Sequence, residues 1–151
     1  SDETRKGLFL APKHAHRYEG FKKGIYSESA TDKTYSELVK RGFEFLESGR
    51  SVILDATFSK DTYIKEAEKA AKKADADFKI IECVSNDAVI KKRLKKRLKD
   101  NSSISDATWN IYLKQKEIFE RIKNPDIRLS TDKPEDEIVE TIIKDVLTER
   151  P

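Results

Sequence analysis

Short apolar runs alternate with amphipathic stretches along this chain. The run Val52-Ile53-Leu54 stops at Asp55, and a second apolar run covers residues 78–84. Short continuous apolar runs of this kind are typical of strands that are buried on both faces of a parallel sheet. Residues 127–131 have the same character, so the pattern predicts three strands.

Between these runs, apolar residues recur every three or four positions, which is the spacing of an amphipathic helix. Residues that favour helix starts precede each stretch, and the predicted starts are Asp32, Ser59 or Asp61, one of residues 85–87, Ser105 or Asp106, and Asp132. Gly49 is expected to end the first helix. Residues 7–31 are predicted to be mostly loop. The order β-α-β-α-α-β-α indicates a single α/β domain over residues 1–151, with helices on both faces of a parallel sheet.

The composition narrows the class of protein. Charged residues make up 39% of the 151 residues and apolar residues 36%, which indicates a charge-rich surface over a small core. No apolar stretch is long enough to cross a membrane, so no membrane partner is expected. Cys83 is the single cysteine, which excludes disulfides and cysteine-rich zinc sites, and a reducing cytoplasm is the expected location.

One segment accounts for the net positive charge of the chain. Residues 91–99 contain seven positive charges and no negative one, whereas the whole chain has a net charge of +3, so the remainder is slightly acidic. This concentration of charge indicates a polyanionic partner, such as a nucleotide, a phosphate or a nucleic acid. Arg93 and Arg97 lie four residues apart on one helix face, and guanidinium groups bind phosphate with two parallel hydrogen bonds. Residues 88–106 are therefore predicted to form a lid-like basic helix and loop, in which the lysines are interpreted as solvated.

Polar residues at the predicted strand ends are the other candidates for chemistry. Asp55 and Thr57 follow the first strand, and functional groups of open α/β sheets gather at the carboxyl ends of strands. Asp55 could orient Mg²⁺ through water, or could only cap the next helix. His14 and His16 lack a third ligand at a suitable spacing, so we interpret them as loop residues.

Several segments, taken in order, resemble one family. They are Ser1-Asp2-x-x-Arg5-Lys6, Gly24-Ile-Tyr-Ser27, Ser51-Val-Ile-Leu-Asp-Ala-Thr-Phe58, the Arg93/Arg97 helix, Ser105-Asp-Ala107 and Tyr112. This arrangement is similar to the P-loop kinases of the AAA_33 and zeta-toxin-like group, whose relatives include polynucleotide kinase and gluconate kinases. The resemblance implies a three-layer fold, in which helices enclose a five-stranded parallel sheet.

The resemblance also implies an activity and a set of site residues. The family transfers the γ-phosphoryl group of ATP, with Mg²⁺, to a hydroxyl group of a substrate. Asp2 would accept the proton of that hydroxyl, and Arg5 would bind phosphate on the substrate. Further substrate contacts are implied for Asp55 and Thr57, and contacts with the nucleotide for Thr131 and for the lid residues Arg93 and Arg97, which would cover the transferred phosphoryl group.

The chain departs from this family at one essential point. It contains no G-x-x-x-x-G-K-[ST] sequence, the P-loop whose backbone amides and lysine hold the phosphates of ATP. We therefore expect the C-terminal portion of a kinase, inactive alone and without tightly bound ATP or Mg²⁺; a relative that has lost its P-loop is the alternative. In the family, the first strand lies between the strands that match residues 52–56 and 78–84. Without it, these two strands are expected to pair directly; the alternatives are a homodimer, in which a second copy fills the gap, and a solvent-filled gap in a loose chain.

Two functions outside catalysis compete with this prediction. The charge of the predicted basic helix also favours a non-enzymatic module that binds nucleic acid. No aromatic residue is interleaved with the basic residues of 91–99, so stacking of bases is not expected there. A structural remnant that serves dimerisation is the third interpretation.

Overall fold

The computed structural model describes residues 1–11, 22–98 and 107–147, except for the side chains of residues 146 and 147. Within these ranges, the chain forms helices α1 (Asp2–Leu8), α2 (Glu28–Glu47), α3 (Asp61–Lys73), α4 (Asp87–Arg97), α5 (Trp109–Ile118) and α6 (Glu135–Leu147). A 3₁₀ turn covers Gly24–Tyr26, and the strands are β1 (Ile81–Val84) and β2 (Ile127–Ser130). None of the helices in these ranges combines the length and the apolar character that a membrane crossing requires.

The two strands form a parallel pair, which confirms the predicted α/β class. Ile81 pairs with Ile127, and Val84 pairs with Ser130. The pairing continues past the strand ends, because the backbone amide of residue 131 donates to the Val84 carbonyl at 2.8 Å. Helix α6 packs against β2, so the sheet is covered by a helix that follows it directly in the chain.

The apolar segment 52–56 does not form the predicted first strand. Its side chains alternate between exposed and partly buried positions, and Ile53 is 95% exposed. Val52 and Leu54 lie against Gly42 of α2, where an added β-carbon would be 2.9 Å from Leu54 Cδ2. Within the described residues β1 pairs only with β2, so the expected direct pairing of 52–56 with the second apolar segment is wrong. Packing on α2 holds this segment through one face, and no strand in the described part of the chain covers the other.

Helices α2 and α3 enclose the best-buried aromatic residues of the chain. The ring of Tyr35 stacks on Tyr63 with centroids 3.9 Å apart, and Phe58 meets Tyr35 edge-on at 5.4 Å. The Tyr35 hydroxyl accepts a hydrogen bond from the Phe58 amide at 2.8 Å. Ala67 and Ala71 are buried on the same face of α3, which confirms the predicted inward face of this helix.

The residues that begin and end α2 are only partly those that the sequence predicts. Ser27 caps the helix, since its Oγ accepts the Ala30 amide at 3.3 Å. The predicted cap, Asp32, lies inside the helix, and its Oδ1 accepts a hydrogen bond from the Tyr63 hydroxyl at 2.6 Å instead. Gly49 follows the helix with a φ of +77°, as the sequence predicts.

The capping residues at the starts of the later helices also agree with the prediction only in part. Asn86 caps α4, and its Oδ1 accepts the Val89 amide at 3.0 Å. Asp132 does not cap α6, because its carboxylate accepts hydrogen bonds from Ser85 and Asn86 across the sheet. Thr108 caps α5. The alternative caps predicted for α5, at residues 105 and 106, lie outside the described residues.

The first residues form a helix that the sequence analysis does not predict. Helix α1 carries Asp2 and Glu3 in its first turn and Arg5 and Lys6 in its last, an order that suits the helix dipole. Residues 7–31 are predicted to be mostly loop, but the 3₁₀ turn and the start of α2 lie within this stretch and form regular secondary structure. The predicted loop histidines, at positions 14 and 16, lie outside the described residues.

Tyr63 makes the packing of α2 on α3 sensitive to alkaline pH. Burial, the hydrogen bond to Asp32 and the charge of that carboxylate raise the pKa of Tyr63 to about 12. Since an unfolded tyrosine has a pKa of about 10, this contribution to stability is complete below about pH 10 and is lost as the pH rises towards 12. Between about pH 9.5 and 11.5, we expect the free energy of unfolding to fall less in Tyr63→Phe than in wild type, by about 1 kcal/mol. Urea unfolding across this range measures the difference, and parallel curves for the two proteins would contradict it.

Candidate functional site

Helix α1 places the side chain of Arg5 inside the protein. The residue is only 7% exposed. Its Nη1 donates to the Ile25 carbonyl at 2.7 Å and to Thr31 Oγ1 at 3.2 Å. The guanidinium carbon lies 5.0 Å from the centroid of the Tyr26 ring. Arg5 thereby joins α1 to the 3₁₀ turn and to the first turn of α2.

Within the described residues, the charge of Arg5 is not balanced by a carboxylate. In the described part of the chain no carboxylate forms an ion pair with it, and its Nε is buried without a hydrogen-bond partner. A buried donor that is left unpaired costs about 1–3 kcal/mol, and buried charges are normally paired. An anionic group on a ligand would supply both the missing acceptor and the missing charge.

Asp2 and Tyr35 share this corner of the fold with Arg5. Asp2 lies one helical turn before Arg5 and is partly buried. Burial raises the pKa of Tyr35; the charge of Arg5 opposes this effect and the charge of Asp2 adds to it. A carboxylate, a guanidinium and a phenol therefore lie within electrostatic reach of one another. From the sequence, Tyr35 is identified only as an inward-facing helix residue.

The substrate-side residues predicted at the strand end lie next to the start of α1. The amino group of Ser1 donates to the Asp55 carbonyl at 2.7 Å. The Asp55 side chain is exposed. Partial burial and, secondly, the charge of Asp55 raise the pKa of Cys83 in β1. Thr57 is exposed and makes no side-chain hydrogen bond within the described residues.

A second group of predicted residues meets where β2 ends and α4 begins. Arg93 Nη1 donates to Thr131 Oγ1 at 3.0 Å, and Nη2 donates to the Thr131 carbonyl. The hydrogen bond from Ser85 and those from Asn86 lower the pKa of the neighbouring Asp132. Arg93 and Asp132 together fasten the end of β2 to the first turns of α4.

The two predicted lid arginines therefore have different surroundings. Both terminal nitrogens of Arg93 are engaged by Thr131 in this arrangement. Arg97 is exposed, and in the described part of the chain it has neither a hydrogen-bond nor an ion-pair partner. The structure brings Arg93 to Thr131, and shows no contact that joins Arg97 to Asp2 or Arg5.

The candidate site contains an unpaired donor, and no cluster of metal ligands is found among the described residues. Among them, no three His, Cys, Asp or Glu side chains lie close enough to hold a metal ion together. The 151 residues also lack the P-loop sequence that would hold the phosphates of ATP. By contrast, the buried and unpaired Nε of Arg5 fits an anionic oxygen.

Comparison with known proteins assigns the chain to a family. No curated protein and no solved structure is significantly similar to the chain. A family model described as an AAA domain matches residues 1–122, which include α1, the segment 52–56, β1, α4 and α5. This domain is of the P-loop NTPase-like, nucleotide-binding class. Since the match covers most of the 151 residues, the chain belongs to the AAA_33 family of AAA domains.

Proposed function

We propose that this chain forms the substrate-binding side of a kinase, which transfers the γ-phosphoryl group of ATP to a hydroxyl group. The observation that carries the proposal is the buried guanidinium of Arg5, which has an unpaired Nε and no carboxylate partner within the described residues. Family membership supports nucleotide chemistry. ATP and Mg²⁺ would supply the phosphoryl group, and a P-loop outside these 151 residues would hold them.

Asp2 and Arg5 have complementary roles in this proposal. They are three residues apart on α1, so their side chains lie on the same side of the helix. Arg5 binds an anionic group of the substrate through its free Nε. The partly exposed carboxylate of Asp2 accepts the proton of the substrate hydroxyl. Asp55 and Thr57 border the same corner and contact the rest of the substrate.

The lid function is assigned to Arg97 in preference to Arg93. Arg93 already donates to Thr131, so covering a phosphoryl group would require it to leave the end of β2. Arg97 has no such partner in the described residues, and its planar fork is available to a phosphate. Thr131 then acts as an anchor for α4, beside the position proposed for the nucleotide.

Arginine side-chain NMR tests the binding role of Arg5 directly. We expect the Nε–H signal of Arg5 to move when glycerol 2-phosphate is added, and to stay in place with glycerol, which has hydroxyls but no phosphate. The new hydrogen bond joins two charged groups, and such bonds contribute about 1.5–3 kcal/mol. Arg5→Lys keeps the charge but loses Nε, so its affinity for glycerol 2-phosphate should fall by about 10-fold or more.

Arg41→Lys is the matched control for this experiment. Arg41 is an exposed arginine of α2, and its Nε is already bonded to Glu37 Oε1 at 2.7 Å. Its substitution should leave the affinity unchanged. If the Arg5 signal is unaffected by saturating glycerol 2-phosphate in the folded protein, Arg5 serves only to join α1 to α2, and the proposal is wrong.

A further inference from the structure

Helix α4 exposes a group of cations that have no ion-pair partner among the described residues. We define its basic face as Lys91, Lys92, Lys95, Lys96 and Arg97, all of which are exposed. Within the described residues no carboxylate forms an ion pair with any of them. The single acidic residue of α4, Asp87, is engaged by Lys116 Nζ at 2.8 Å and by the Tyr112 hydroxyl at 2.8 Å. Five positive charges therefore face solvent along less than two turns of helix.

Helix α5 brings two aromatic rings to this face. Lys91 Nζ lies 5.2 Å from the centroid of the Trp109 ring. The rings of Trp109 and Tyr112 are stacked, with centroids 5.2 Å apart and planes inclined by 30°. No aromatic residue is interleaved with the basic residues in the sequence, but the fold places these two rings beside them. The rings come from a different helix, which runs antiparallel to α4: Asp87 meets Tyr112, and Lys91 meets Trp109.

We infer that the basic face of α4, together with Trp109, binds single-stranded nucleic acid. The lysines and Arg97 contact successive phosphates, and one base stacks on the indole of Trp109. A positively charged track beside an aromatic platform is the arrangement by which proteins bind single strands without sequence preference. This inference can be tested apart from the binding role of Arg5, because none of its contacts involves Asp2 or Arg5; Arg97 is the residue that both proposals use.

A base competes successfully with Lys91 for the indole ring. A cation–π contact at an exposed site increases affinity by about twofold to fivefold. Stacking of a nucleic-acid base on an aromatic ring increases it by about fivefold to more than 100-fold. Displacement of the ammonium group by a base is therefore favourable, and the released Lys91 can pair with the adjacent phosphate. In a duplex the bases are already stacked on each other, so the indole favours a single strand.

The single tryptophan of the chain reports on this contact. Trp109 is the only one in the sequence, so its fluorescence comes from the proposed site alone. We expect quenching on titration with the oligonucleotides dT20 and rU20, and the ratio of the two affinities shows whether DNA or RNA is preferred. An abasic strand of the same length should bind at least about 10-fold more weakly. With four or five phosphates contacted, the logarithm of the affinity should fall with the logarithm of the salt concentration with a slope of about −3.

Three variants separate the charges from the ring. Lys95→Ala/Lys96→Ala should weaken binding of dT20 by at least about 10-fold and reduce the salt slope by about 1.4. Lys69→Ala/Lys72→Ala removes two exposed lysines of α3 and should change neither quantity. Trp109→Leu, measured by anisotropy of labelled dT20, should bind the normal and the abasic strand equally. Circular dichroism establishes that each variant is folded.

Several results would overturn the inference. One is equal affinity of the wild type for dT20 and for the abasic strand, which would mean that the face attracts polyanions by charge alone. Binding of poly-glutamate with the same affinity as dT20 would also mean that the face attracts polyanions by charge alone. An unchanged Trp109 emission at saturating dT20 would place the nucleic acid elsewhere, as would equal losses of affinity in the α3 and α4 double variants.

Discussion

The purified 151-residue chain is expected to release no phosphate from ATP above the uncatalysed rate. Catalysis of phosphoryl transfer consists almost entirely of positioning and charge neutralisation, and the P-loop supplies a large part of both. Positioning alone can be equivalent to an effective concentration of about 10⁵–10⁸ M. A chain without the P-loop sequence therefore loses many orders of magnitude in rate. Release of labelled phosphate from γ-labelled ATP, with and without Mg²⁺, measures this.

Asp2→Asn is the control for residual turnover. An amide cannot accept the hydroxyl proton, so this variant lacks the proposed base while its shape is almost unchanged. Any rate that is equal in wild type and Asp2→Asn comes from a contaminating ATPase. A magnesium-dependent rate that is present in wild type and absent in Asp2→Asn would contradict the prediction, and would show that the chain holds ATP without a P-loop.

Tyr35→Ala is expected to lower the melting temperature by at least about 10 °C. Tyr35 is 4% exposed and contacts both Tyr63 and Phe58. Removal of a large buried aromatic side chain costs about 3–5 kcal/mol, in a fold whose total stability is of the order of 5–15 kcal/mol. The Phe58 amide also loses the oxygen that accepts its hydrogen bond. Thermal unfolding followed by circular dichroism measures the shift.

Two further variants test the origin of this effect. Tyr35→Phe keeps the ring but leaves the Phe58 amide without its acceptor, so it should cost about 1–3 kcal/mol. Phe45→Ala removes a ring from the same helix where it is 49% exposed, and should cost about 1 kcal/mol or less. Similar melting temperatures for Tyr35→Ala and Phe45→Ala would show that the aromatic cluster does not stabilise the fold.

The sequence predicts those parts of the fold that depend on local signals. The amphipathic pattern of α3, the cap at Asn86, the glycine at position 49 and the parallel strand at 127–131 are all observed. The segment 52–56 is the main error. An apolar run indicates that a strand could be buried, but only a neighbouring strand can bury it, and the sequence of the run carries no information about that neighbour.

The candidate site, too, is predicted only in part from the sequence. The spacing within Asp2-x-x-Arg5 predicts that the two residues share one side of α1, and the structure places the Asp55 carbonyl beside the amino group of Ser1 at the start of this helix. The unpaired Nε of Arg5 was not predictable, because it depends on how Ile25 and Thr31 engage Nη1 from a distant part of the chain. Trp109 was missed as a neighbour of the basic segment for the same reason, since sequence adjacency does not reveal contacts between two helices.

The bare backbone of residues 52–55 has a consequence for how the protein opens. In the described part of the chain none of these amides donates to an acceptor, and the Asp55 carbonyl receives only the amino group of Ser1. Their hydrogens can therefore exchange with those of water while the protein stays folded, whereas the amides of β2 that donate to β1 must first be uncovered. In most α/β domains the most apolar segment is the last to exchange. Here the apolar segment 52–55 is expected to exchange among the first. The apolar segment and the segment that is best protected from exchange are therefore different parts of the chain.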